Sequence, residues 1–414
     1  MLTREDLRSR LLPIALGQAA GLAAGIAGVS LVTRWVAPAD YGVYGIFASF
    51  VPLGYGVVFI GLVKFVTRQW RETADRRGLA GDVIGALAQK TGWLIVPAVG
   101  AAWFAPEGAR SWFAAALFFS AVVMGLVQLG QAALQAERAH WRDCAAMIGI
   151  TGSRSLLPPL LYVATGWGVR AMLLGFCAHA LIALASVAAT LRRPTRAAEA
   201  DPRSRPRLTT DYAGQRFVVL ALVNWGLLGT GRWTVTFFFG REAAGYFTLA
   251  SNIGLILPAM LGAMLLQWRQ PVWFEQAVTT SPRKVASDVD RFAALYTVAA
   301  LGATLALRAA MPWLTGTLVD ARYEGAAEFV LATGFFVAAV TLCGFYHALL
   351  IALRQEAACT RADLAGAGVL IGGAVGSAAL GLEWLKGWLL VSPTVPWLVN
   401  RHIARAAANR ADPR

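Results

Sequence analysis

Apolar residues fall in runs of about twenty along nearly the whole chain, parted by short polar or charged interruptions. A run of that length crosses the hydrocarbon core of a bilayer as one helix, because a helix satisfies its own backbone where water cannot. The pattern predicts helices over 11–33, 41–65, 88–105, 112–134, 144–165, 169–191, 217–239, 243–267, 291–311, 326–351, 363–382 and 384–400. Arg34 and Trp35 mark the first interface, Pro38 stops the first helix, and Asp40 is offered as the N-cap of the second. The boundary between the last two helices is the weakest, since Leu382-Glu-Trp-Leu-Lys-Gly387 makes a very short turn.

The basic residues supply an independent check on that segmentation. With the N-terminus placed in the cytoplasm, the segments assigned to the inside hold about four times as many Arg and Lys as those outside. Both termini are therefore expected to be cytoplasmic. The fold class expected is an all-α polytopic membrane protein of about twelve transmembrane helices in two six-helix halves. Residues 1–191 form the first half, 192–215 an Arg/Pro-rich cytoplasmic linker, 216–400 the second half and 401–414 a basic cytoplasmic tail. A signal peptide is not expected, because the first apolar run is too long and lacks an Ala-x-Ala site.

Composition agrees. The chain is 57% hydrophobic and only 14% charged, with a mean hydropathy of +0.56, where a soluble domain carries roughly a quarter charged residues. The net charge of +14 is accounted for by the inside bias, so no nucleic-acid partner is implied. Cys144, Cys177, Cys343 and Cys359 are scattered, without metal or redox spacing.

Weak internal echoes link the halves. Ala133-Leu134-x-x-Glu137-x-x-x-x-Arg142 recurs as Ala352-Leu353-x-x-Glu356-x-x-x-x-Arg361, each after the fourth helix of its half. Asp40-Tyr-Gly42-Val-Tyr44 has a looser counterpart in Ala243-Ala-Gly245-Tyr246-Phe247. These favour duplication, and six helices per half make the repeats parallel.

Arg34, Pro38, Asp40, Tyr41, Gly42 and Tyr44 close the first hairpin in a pattern that resembles the O-antigen-type polysaccharide flippases of the multidrug/oligosaccharidyl-lipid/polysaccharide (MOP) exporter superfamily. Arg232, Phe239-Gly240, Gly245-Tyr246, Leu257-Pro258 and Pro271 look similar in the second half, so the resemblance spans nearly the whole chain. Gly231 departs from it, standing where an acidic residue is common, and the tail after residue 400 is brief. The resemblance implies a bacterial inner-membrane protein that flips an undecaprenyl-diphosphate-linked oligosaccharide by alternating access, for surface polysaccharide or lipopolysaccharide assembly. Its partners would be the lipid-linked substrate, membrane lipids, and the glycosyltransferases and polymerase that work beside it. It implies neither a cofactor nor an enzymatic activity.

Ionisable residues inside membrane helices are the first candidates for a site, at roughly 2.5–3.5 kcal/mol each when central. Arg154 lies in the fifth helix just before Pro158-Pro159, and Arg232 midway along the seventh between Gly231 and Trp233. A guanidinium suits bidentate binding of diphosphate oxygens, although bonding to a neighbouring helix or snorkelling is an equal alternative. Arg34 and Lys64, at opposite ends of the first hairpin, come second, since anchoring also accounts for them. Asn224, Asn252, Gln128 and Gln131 suit helix-to-helix bonds better than sugar hydroxyls, and most of the 15 tryptophans suit interface belts. His179 and His347 suit packing better than proton relay.

Two other classes were weighed. A polytopic acyltransferase or polymerase would use His347 or His179 as a base, but the outside loops are short. A cation-coupled drug antiporter of the same superfamily would be expected to hold a carboxylate mid-membrane in helices one, two, seven or eight, and none is found there. No Walker A sequence is present.

Overall fold

The computed structural model describes residues 12–70, 76–137, 139–191, 215–353 and 355–411. The Arg/Pro-rich linker of 192–215 lies outside them except for Gln215. Among the described residues every regular element is helical. They are α1 (Leu12–Trp35), α2 (Pro38–Gln69), α3 (Arg76–Lys90), α4 (Ile95–Ala102), α5 (Arg110–Ala136), α6 (His140–Thr165) and α7 (Val169–Leu191). After the linker come α8 (Gln215–Thr279), α9 (Pro282–Thr317), α10 (Ala327–Ala352), α11 (Glu356–Leu380), α12 (Leu382–Val391) and α13 (Thr394–Ala411).

Nine candidate membrane spans are long and apolar enough to cross a bilayer among the described residues. The difference from twelve has local causes. One of the nine, Gly229–Ala277, runs through two arms of α8, because Gly240 alone breaks the helix with φ 86°. That left-handed value is one that glycine adopts without strain. Helix α6 is long enough but carries Arg142, Asp143 and Arg154. The last crossing is broken at Ser392-Pro393 into α12 and α13, since proline cannot donate to the preceding turn. The third crossing, Gly81–Ala102, is still one of the nine although it tightens into a 3-10 turn at Thr91–Leu94 between α3 and α4.

Asp40 is not the N-cap. Tyr41 N–H bonds Ala37 O at 3.0 Å, so α2 begins at Pro38, whose fixed φ suits the first helical position. Asp40 then sits in the first turn, where its charge still complements the helix dipole.

The chain forms two compact units, one of Met1–Val36 with Val43–Trp225, the other of Ala37–Gly42 with Gly226–Arg414. In the first, α6 packs between α1 and α7. Gly17, Gly21 and Gly28 of α1 lie against Cys144, Thr151 and Ser155, while Gly175 of α7 lies against the backbone of Pro158. Small residues permit this close approach, which helices in lipid rely on. Phe47, Phe113 and Phe176 meet edge to face with centroids 5.3 Å apart. Trp225 donates to Ser49 O at 2.8 Å and packs on Phe50.

In the second unit, Trp273, Tyr296 and Phe345 centre a core between α8, α9 and α10. Asp290 of α9 ties the end of the chain to it, accepting from Tyr346 of α10 and from Arg401 and Arg405 of α13. The basic tail is thus helical as far as Ala411 and partly neutralised. The segment Ala37–Gly42 joins this unit through the first turn of α2. Tyr41 accepts from Asn252 Nδ2 at 2.6 Å and meets Tyr323 edge-on, and Tyr323 meets Tyr246 in the same way. Gly42 lies against Arg241 O, and Gly245 against Pro38 O. Each glycine thus meets the carbonyl four residues before the other. The contact is therefore reciprocal, each turn seating its glycine on the other's backbone.

Asp143 precedes the apolar stretch of α6. Its Oδ1 is buried without a hydrogen bond, and burial pushes the carboxyl up to about 6, against a bond from Gln135 that lowers it. Below the unfolded value, near 3.8, both states are protonated and burial costs nothing on this account. The cost grows as pH rises to about 6 and stays constant above that. Asp143→Asn is therefore expected to raise stability at pH 7–8, by at most about 3 kcal/mol, with no gain at pH 4. Thermal unfolding in detergent across that pH range checks it.

Candidate functional site

Arg154 is exposed, on a side of α6 that its neighbours α1 and α7 leave uncovered. Among the described residues it forms neither a hydrogen bond nor an ion pair. Its charge reaches Tyr55 of α2 and His179 of α7, both in its own unit. His179 is fully buried, with Nδ1 bonded to Ser153 Oγ at 2.9 Å and Phe176 edge-on at 5.1 Å. Ser153 already gives its proton to Gly149 O, so Nδ1–H donates and Nε2 is left as a buried acceptor with no partner. The α6 residue beside Ser153 is Arg154. On a helix fixed against α7 by the Ser153–His179 bond, Arg154 thus offers a guanidinium whose donors no carboxylate or carbonyl among the described residues consumes. Such a group can fork onto two oxygens of a phosphate.

Arg232 belongs to the other unit, on the first arm of α8. It is half-buried and engaged by its surroundings, and its carbonyl accepts from Thr236 Oγ1 at 2.7 Å. Gly231, one residue earlier, is packed beneath Phe247. Arg34 is exposed and engaged in the last turn of α1, where a cation also complements the helix C-terminus. Lys64 lies within α2, and its side chain is outside the described residues. Asn252 bonds Tyr41, and Gln131 bonds Gln128 and Met147, so these amides join side chains rather than facing a ligand.

One constellation was missed from sequence. His347 of α10 is bonded through Nε2 to Asp363 Oδ1 of α11 at 2.8 Å, and Asp363 is 1% exposed. Its Oδ2 and Asn400 Oδ1 of α13 are both buried without partners. A helix predicted to begin at 363 puts the aspartate at a membrane edge. With α11 starting at Glu356, two turns earlier, the carboxylate falls inside the bundle. Among the described residues no group of three His, Cys, Asp or Glu is placed to hold a metal ion.

No protein-family model matches the sequence, and no curated protein matches it. Solved structures do. An inward-facing multidrug resistance MATE family transporter of the MOP superfamily aligns with a TM-score of 0.69 at 14% identity, over 95% of this chain and 96% of its own. An outward-facing MATE transporter aligns at 0.65 and 15% identity, over 99% of both chains. The fold is that of the MATE transporters. The lipid II flippase MurJ, in an inward closed conformation, also aligns, with a TM-score of 0.62 and 11% identity over 94% of this chain and 86% of its own. A MATE-type fold therefore holds α6 and α8, and with them Arg154 and Arg232, in separate compact units.

Proposed function

We propose that this protein moves a lipid-linked oligosaccharide carried on a diphosphate across the bacterial inner membrane, by alternating access, for surface polysaccharide assembly. The observation that carries the reading is the guanidinium of Arg154, which has no hydrogen bond or ion pair among the described residues and sits on α6, a helix we read as membrane-spanning. A charge left without a partner in lipid is costly, and an anionic ligand is the partner that would offset that cost. Arg232, in the second unit, is a further candidate for the cargo's phosphates, and Arg34 and Lys64 are weaker ones nearer the membrane surfaces. That a lipid II flippase shares the fold supports a lipid diphosphate as cargo.

The proposed orientation has both termini in the cytoplasm, resting on the distribution of Arg and Lys. A drug antiporter is the second reading, favoured by the multidrug transporters among the structural neighbours. The buried carboxylate of Asp363, paired with His347, would then be the acidic group that such a transporter needs. The readings separate in cells. Replacing Arg154 and Arg232 together by Ala is expected to abolish surface polysaccharide while membrane protein levels hold. Wild-type polymer in that strain would refute the site, and drug sensitivity on deletion with polymer intact would favour the antiporter.

A further inference from the structure

At one end of the first unit, the start of α5, the turn between α6 and α7 and the start of α7 form an open cleft of about 320 Å³, lined by Trp112, Trp167, Arg170 and Leu174. The turn between α6 and α7 builds it. Gly166 and Gly168 both take left-handed φ, at 68° and 59°, and hold Trp167 between them. Trp167 and Trp112 are 62% and 45% exposed, so large apolar area is displayed at a helix end rather than packed. Arg170 donates one Nη2 bond to Gly108 O at 2.6 Å and forms no ion pair among the described residues. The nearby acid, Glu107, instead faces Arg110 at 3.8 Å.

The chemistry of this lining is one-sided. Indole and guanidinium side chains offer N–H donors only, and no lining side chain offers an acceptor. A neutral sugar brings about as many hydroxyl donors as acceptors, and here its donors would find no side-chain partner. A phosphodiester brings acceptor oxygens and a negative charge, which match Arg170. Leu174 and the indole faces match the apolar chain attached to such a headgroup. The helix ends place all of this where tryptophan belts meet lipid headgroups.

We propose that the Trp112–Trp167–Arg170 cleft binds the phosphate of an anionic phospholipid from the surrounding bilayer. Basic clefts between membrane helices hold such headgroups by the same combination of charge and apolar wall. The proposal needs only that the chain spans a membrane, and it is independent of what the protein transports.

Native mass spectrometry of the purified full chain tests it, with phosphatidylglycerol, phosphatidylcholine and inorganic phosphate added separately. Wild-type protein is expected to retain phosphatidylglycerol about tenfold more strongly than phosphatidylcholine. Arg170→Gln is expected to remove that preference and leave phosphatidylcholine unchanged. Because Arg170→Gln also frees Gly108 O, Trp167→Leu serves as a second variant that keeps that bond, and it should weaken phosphatidylglycerol retention severalfold. Melting curves of both variants establish that they are folded. Equal retention of the two lipids by wild type, or unchanged phosphatidylglycerol retention in both variants, overturns the proposal. Inorganic phosphate binding as strongly as phosphatidylglycerol overturns it too, because the cleft would then be a plain anion site.

Discussion

Arg154→Ala is expected to reduce transport of a diphosphate-linked lipid by ten- to a hundredfold, with no loss of stability. The range follows from losing one charge-assisted hydrogen bond, on the order of 1.5–3 kcal/mol. The stability half follows from the geometry. Arg154 bonds nothing among the described residues, so its removal orphans no protein donor or acceptor. If α6 crosses the membrane as proposed, the change also takes a charge out of lipid, which is neutral or favourable to insertion. Arg154→Lys separates charge from shape, since an ammonium is a point charge and cannot fork onto two phosphate oxygens. Partial activity in the lysine variant and almost none in the alanine variant is the expected order. Transport of a fluorescent lipid diphosphate into reconstituted vesicles, beside a melting curve, measures both. Full transport by Arg154→Ala would mean that the guanidinium only reaches for the membrane surface.

The crossings were legible because a run of about twenty apolar residues has few other fates. α5 and α7 lie within a few residues of the expected 112–134 and 169–191. Composition also placed Arg154 inside a helix. It could not say which side of α6 is covered, because that depends on the glycines of α1 and α7 seated against it. The pairing of His347 with Asp363 was hidden for a different reason. It hinges on α11 starting at Glu356, in a stretch where Arg361 and Asp363 depress the local hydropathy and mimic a membrane edge. Arg232 shows the opposite limit. Its place inside a helix resembled that of Arg154, yet only the folded unit reveals that it is engaged.

Gly42→Val and Gly245→Val are each expected to destabilise the protein by about 1–3 kcal/mol, and the two together by clearly less than the sum. A Cβ at Gly42 would overlap Arg241 O, and one at Gly245 would overlap Pro38 O. Both obstacles are backbone rather than the flexible end of a side chain, so the first turn of α2 must move away from α8. That movement strains the Asn252–Tyr41 hydrogen bond and the edge-on packing of Tyr41 on Tyr323. Once one valine has opened the crossing, the second meets a gap already made. Non-additivity therefore follows from the reciprocal contact and would be absent if the glycines acted at independent sites. A double-mutant cycle on melting in detergent reads this directly. Tyr41→Phe, which removes one hydrogen bond and keeps the ring, is the mild reference, at about 1 kcal/mol. Additive effects of the two valines would show that the crossing is not one cooperative contact.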